Sequence, residues 1–74
     1  MQAPELGVYL RELRQRAGIT VREASRRSGV SNPYLSQIET GKRHPGTEAL
    51  NKLAPVYGVT VRELLEMSGH LVET

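Results

Sequence analysis

Apolar residues recur along this chain at helical spacing in five places, and at the alternating spacing of a strand in none. In the first segment Leu6, Leu10, Leu13 and Ala17 follow one another at steps of four, three and four, a single helical stripe that stops at Gly18. A second segment opens at Thr20, with Glu23 three residues on. That spacing predicts a capping box, the threonine hydroxyl taking a backbone N–H and the carboxylate reaching back to the cap. The segment ends at Ser28-Gly29, where glycine takes the left-handed conformation at little cost. A third segment occupies residues 32–40. A fourth runs from Gly46 or Thr47 to Tyr57, with Leu50, Leu53 and Ala54 inward. A fifth opens with another capping box, Thr60 to Glu63, and carries Val61, Leu64 and Leu65. Pro55 lies inside the fourth pattern. It removes one hydrogen bond and crowds the preceding turn, which predicts a kink or loosening near Asn51. Five short helices with short connections predict an all-α fold, a compact five-helix bundle. The pattern assigns residues 1–68 to the bundle and leaves 69–74 as a C-terminal tail.

Charge changes the picture more than composition does. The chain has 74 residues and a net charge of +2, but residues 11–43 hold eight basic side chains against three acidic ones, a net of +5. Residues 44–74 carry a net of −2. One part of a small domain is therefore cationic, as a surface for a polyanion is. The absence of cysteine excludes a disulfide scaffold and suits a reducing compartment. No apolar run approaches the roughly 20 residues that span a bilayer. The N-terminus lacks the basic and apolar regions of a signal peptide, and the expectation is a cytoplasmic protein with no membrane partner. There is no serine–histidine–acid grouping, no metal-ligand set and no phosphate loop. No enzymatic activity, cofactor or metal is expected.

The third segment carries the candidate chemistry. At about 100° per residue, Leu35 and Ile38 fall on one side with Glu39 at its edge. Asn32, Pro33, Ser36, Gln37 and Thr40 gather on the other. The first side is a narrow apolar strip for docking on other helices. The second is polar, uncharged and rich in groups that both donate and accept hydrogen bonds, as reading base edges in a major groove requires: an amide pairs bidentately with adenine, and a serine serves several bases. Pro33 offers a ring to a thymine methyl. Two registers start this helix. Either Asn32 is the N-cap and Pro33 the first helical residue, or Ser31 is the cap. Tyr34 lies between the two faces, packed at the rim.

The stretches "LRELRQRAGIT" at 10–20, "GVSNPYLSQIETGKRHP" at 29–45 and "LNKLAPVYGVTVRELL" at 50–65 carry a resemblance. Residues 6–65 resemble the phage-repressor-type helix-turn-helix, the Xre/Cro-like regulators, an all-α bundle of the lambda-repressor-like type. The resemblance implies sequence-specific binding of double-stranded DNA as a transcription regulator, nucleoid-associated when bound. The second helix crosses the DNA backbone and the third lies in the major groove. Asn32, Pro33, Ser36 and Gln37 match the base-facing positions. Thr20, Thr40, Lys42 and Arg43 match backbone-facing ones. Arg14 and Glu39 match a structural ion pair joining the first and third helices.

The chain also departs from the pattern. Val21 stands where a phosphate-contacting glutamine is common, which moves that work to Arg22 and Arg26. Ala24-Ser25 replaces a Leu-Ala pair, which implies looser packing of the second helix. Met67, Leu71 and Val72 exceed the apolar needs of a small bundle and are the candidate dimer surface, for a homodimer on a palindromic operator. The competing reading is an antitoxin-like protein that binds a partner protein and autoregulates by DNA binding.

Overall fold

The computed structural model describes residues 3–68, and the side chains of residues 6–67. Five helices follow in chain order: α1 (Ala3–Ala17), α2 (Val21–Ser28), α3 (Asn32–Glu39), α4 (Thr47–Tyr57) and α5 (Val61–Ser68). No strand occurs among the described residues. α1 packs on α3, α4 and α5, and α2 packs on α3 and α4. The positions that the helical spacing turns inward meet at the centre, where Leu6, Leu10, Leu35, Ile38, Leu50, Leu53 and Leu64 are fully buried. Each contributes roughly 1.5–3 kcal/mol by leaving water. The α1 stripe fades at its end, because Leu13 is half-buried and Ala17 exposed.

Three local features bear on the expectations from the sequence. Pro55 does not break α4, which runs from Thr47 through Pro55 to Tyr57. The proline sits in the last turn, two residues before the end of the helix and three before the left-handed Gly58 cap, and the one bond it removes is that to the Asn51 carbonyl. At Ala24-Ser25 two attachments hold α2. Ala24 is fully buried, and the Ser25 hydroxyl donates to the Val30 carbonyl at 2.5 Å, which ties the helix to the turn that follows it.

The third concerns the capping boxes, where one expectation is corrected. In α5 the box closes both ways, with Glu63 N–H to the Thr60 hydroxyl at 3.1 Å and Thr60 N–H to the Glu63 carboxylate at 2.9 Å. In α2 only half forms. Glu23 N–H donates to the Thr20 hydroxyl at 3.1 Å, but the Glu23 carboxylate turns to Arg26 and Arg27 instead, at 2.5 and 2.7 Å. Two cations at i+3 and i+4 outweigh one backbone N–H.

α1 and α3 cross closely at Gly7, where a methyl group would lie 2.4 Å from the Ile38 carbonyl oxygen and 2.6 Å from that of Glu39. Nearby, the Tyr57 hydroxyl is buried without a hydrogen-bond partner among the described residues. Burial, with the Glu39 carboxylate as a lesser cause, pushes its pKa up to about 12 from 10.0. The neutral phenol is favoured in the fold, so stability from this group is full below about pH 10 and drains away as pH rises towards about 12. Tyr57→Phe removes a buried group that makes no bond. It is expected to leave stability at pH 7 unchanged or raise it by about 1 kcal/mol, and to flatten the alkaline arm of the stability curve. Urea titrations of both proteins from pH 7 to 11 check this; a loss at pH 7 of more than about 1 kcal/mol would show that the hydroxyl is bonded in solution.

Candidate nucleic-acid interface

The centre of the candidate site is the α2–turn–α3 unit. α2 stops because Gly29 adopts φ 81°, with its N–H on the Ser25 carbonyl at 2.8 Å. Val30 is 5% exposed and anchors the turn in the core. The register of α3 resolves in favour of Ser31: its hydroxyl accepts the Tyr34 N–H at 3.3 Å, and Asn32 is the first helical residue with Pro33 in the first turn. The Asn32 amide is therefore not spent as a cap.

α3 presents two unlike faces. Leu35, Ile38 and Glu39 are buried, while Asn32, Pro33, Ser36 and Thr40 are exposed and Gln37 half-exposed. The exposed face carries no charge, so what it recognises must be read by hydrogen bonds and shape. Thr40 is less free than its exposure suggests. Its hydroxyl donates towards the Ser36 and Gln37 carbonyls, at 3.2 Å each, and must rotate to serve an outside acceptor.

The loop after α3 is strapped to the helix. Lys42 N–H and Arg43 N–H both donate to the Gln37 carbonyl, at 2.8 and 3.2 Å. Both side chains are exposed at the C-terminal end of α3, and the Arg43 guanidinium lies over the Tyr34 ring, 5.1 Å from its centroid.

The basic residues divide into two groups. Arg14 is inside: Nε and Nη2 grip both oxygens of Glu39 at 2.8 and 3.0 Å, and Nη1 donates to the Ile19 carbonyl at 3.0 Å. The Glu39 hydrogen bond, against desolvation, holds the Arg14 pKa above its ordinary value. Arg14 is thus built into the α1–α3 junction, with all three of its nitrogens engaged and its side chain 13% exposed. Arg26 and Arg27 share Glu23, and their hydrogen bonds, Arg27 first, hold that carboxyl below the usual range. Arg11, Arg16, Arg22 and Lys42 are exposed and make no ion pair among the described residues. Of the α2 candidates, then, Arg22 is free while Arg26 must leave Glu23 to meet an outside anion. Thr20 is exposed, its hydroxyl accepting the Glu23 N–H and keeping its own proton.

Met67 is half-buried and lines a shallow cleft with Tyr9, Glu63 and Glu66. Leu71 and Val72, with the rest of the 69–74 tail, lie outside the described residues. Among the described residues no group of three or more His, Cys, Asp or Glu could hold a metal, and no helix is long and apolar enough to cross a membrane. The sequence reading missed Gly7, the Ser25 pin and the Tyr34–Arg43 stack. Only Ser25 left a signal in the chain, a hydroxyl where an alanine was expected.

A turn anchored by the buried Val30 between two eight-residue helices, with a polar outer face on the second, is helix-turn-helix geometry. Comparison with known proteins agrees: a family model described as a helix-turn-helix domain matches residues 5–67, and the chain belongs to that family. It is similar to the HTH-type transcriptional regulator DdrOP3 of Deinococcus deserti, 46% identical over 57 residues that cover 77% of this chain and 44% of that protein. The HTH-type transcriptional regulator ImmR of Bacillus subtilis is 42% identical over 60 residues, 81% of this chain and 47% of that one. An uncharacterized HTH-type transcriptional regulator of Sinorhizobium fredii, y4dJ, is 40% identical over 60 residues, 81% of this chain and 78% of its own length. The chain spans about half the length of DdrOP3 and ImmR.

Proposed function

We propose that this chain is a sequence-specific DNA-binding domain of a transcription regulator, with α3 in the major groove. The observation that carries the reading is the pairing of an uncharged, hydrogen-bonding outer face on α3 with a cationic loop strapped to the same helix. The relatives DdrOP3 and ImmR, both named as transcriptional regulators, support it. Asn32, Pro33, Ser36 and Gln37 read bases; Thr20, Arg22, Arg26, Thr40, Lys42 and Arg43 meet phosphates. The domain works in the cytoplasm, on the nucleoid.

Selection of bound duplexes from a random pool tests this directly. The parent should enrich a defined motif. Gln37→Ala should relax one base position in each half-site, since a bidentate amide–adenine pair carries about 1–3 kcal/mol of discrimination. Lys42→Ala should instead weaken all duplexes alike and lower the log–log salt slope by about one. Unselected output from the parent, or an unchanged profile from Gln37→Ala and Asn32→Ala together, would overturn base reading by α3.

One α3 reads few base pairs, and a two-fold dimer on a palindrome with half-sites about 34–36 Å apart remedies this. The proposed dimer surface is the C-terminal side, with Met67 as its described member and Leu71 and Val72 continuing it. Sedimentation with and without the selected duplex should give two chains per palindrome. One chain per non-palindromic site would remove the dimer from the reading.

A further inference from the structure

Arg43 is fixed from two directions. Its backbone N–H is held by the Gln37 carbonyl at 3.2 Å, and its guanidinium lies 5.1 Å from the Tyr34 ring centroid, within cation–π range. Tyr34 is in turn half-buried against the core, and its hydroxyl accepts the Gly46 N–H at 3.3 Å. Arg43 and Gly46 belong to the same loop, and Pro45 between them is fully buried. Tyr34 therefore grips the loop at both ends, by its ring face at Arg43 and by its hydroxyl at Gly46. With one face covered by Arg43 and the ring half-buried, Tyr34 is not free to stack on a base. A guanidinium held over a ring by cation–π attraction leaves N–H donors for an oxyanion.

We propose that Tyr34 is a positioning residue for DNA binding, holding the Arg43 guanidinium edge-outward beside α3 to take a backbone phosphate bidentately. This rests on the DNA-binding reading above. It assigns Tyr34 a role through Arg43, not through contact with DNA. An arginine already stacked loses less conformational freedom on binding than a free loop cation. It also fixes where one phosphate sits relative to the base-reading face. Arg43→Lys keeps the charge but loses the planar fork, so it should not restore what Arg43→Ala removes.

The test is a double-variant cycle on a duplex enriched by the parent, with Kd measured across a series of salt concentrations. Tyr34→Phe keeps the ring over which Arg43 lies but frees the Gly46 end of the loop, and should bind between the parent and Tyr34→Leu. Tyr34→Leu should weaken binding about two- to fivefold, the size of an exposed cation–π contact. Arg43→Ala should lower the salt slope by about one in the parent, but by less when combined with Tyr34→Leu. A merely structural Tyr34 would leave the Arg43→Ala effect the same in both backgrounds, which would overturn the proposal. A second measurement needs no variant: in the free protein the Arg43 Hε resonance should be shifted upfield by the ring current of Tyr34, and an unshifted resonance overturns the stack. A parent that enriches no duplex overturns the DNA-binding reading and this inference with it. A parent that binds, with additive variants, overturns this inference alone.

Discussion

Glu39→Ala should destabilise the domain by about 3 kcal/mol, the low end for breaking a buried ion pair. Its side chain is 5% exposed and that of Arg14 13%, so neither charge is well hydrated in the fold. Together they satisfy each other through two parallel hydrogen bonds, and the remaining Arg14 nitrogen is occupied by Ile19. Removing the carboxylate strands a guanidinium that desolvation already opposes and that Glu39 chiefly compensates. Arg14→Ala is the mirror case and strands a carboxylate. The low end of the range applies because Arg14 reaches the surface, where water can partly replace its partner. In a domain of this size the expected fall in Tm is more than about 10 °C. The double variant should cost less than the sum of the singles, since it leaves no unmatched charge. Urea unfolding of the three variants measures the coupling. A coupling near zero would mean that Arg14 is an ordinary surface cation, and would return it to the pool of residues able to meet a phosphate. The consequence reaches the site, because this pair ties the last turn of α3 to α1.

What the sequence made legible was whatever depends on local periodicity. Leu6, Leu10, Leu35, Ile38, Leu50, Leu53 and Leu64 fall inward because helical spacing puts them on one side of each helix, and all seven are buried. The same rule separates the exposed Asn32, Pro33 and Ser36 from the buried Leu35 and Ile38. Competition between close alternatives was less legible. Ser31 and Asn32 are both good caps, one residue apart. Glu23 could reach back to Thr20 or forward to Arg26 and Arg27, and capping-box spacing alone does not weigh the cations. Pro55 reads as a kink or loosening near Asn51, and periodicity alone does not say that the helix continues through it to Tyr57. Features made by folding left no local trace. Tyr34 and Arg43 meet because the loop doubles back on α3, and Gly7 matters because α1 and α3 happen to cross there.

That crossing supports the second large effect. Gly7→Ala should destabilise the domain by about 2 kcal/mol, within the usual range for overpacking. In an open helix the same change would stabilise by roughly 0.5–1 kcal/mol, because alanine is the better helix former. Here the added methyl would stand 2.4 and 2.6 Å from two carbonyl oxygens of α3. Those oxygens are backbone and cannot swing aside as a side chain tip would, so one helix must shift along its whole contact. The carbonyls belong to Ile38 and Glu39, in the last turn of α3. A shift there disturbs the Glu39 grip on Arg14 and moves Thr40 and the strapped Lys42–Arg43 loop relative to the outer face. Gly7→Ala should therefore lose DNA affinity even under conditions where the domain stays folded, whereas Val8→Ala at its exposed neighbour should change little. Urea midpoints of the two variants, followed by binding to the parent's enriched duplex at 10 °C, separate the effects. If Gly7→Ala melted at or above the parent, α1 and α3 would not approach as closely in solution as the crossing at Gly7 requires.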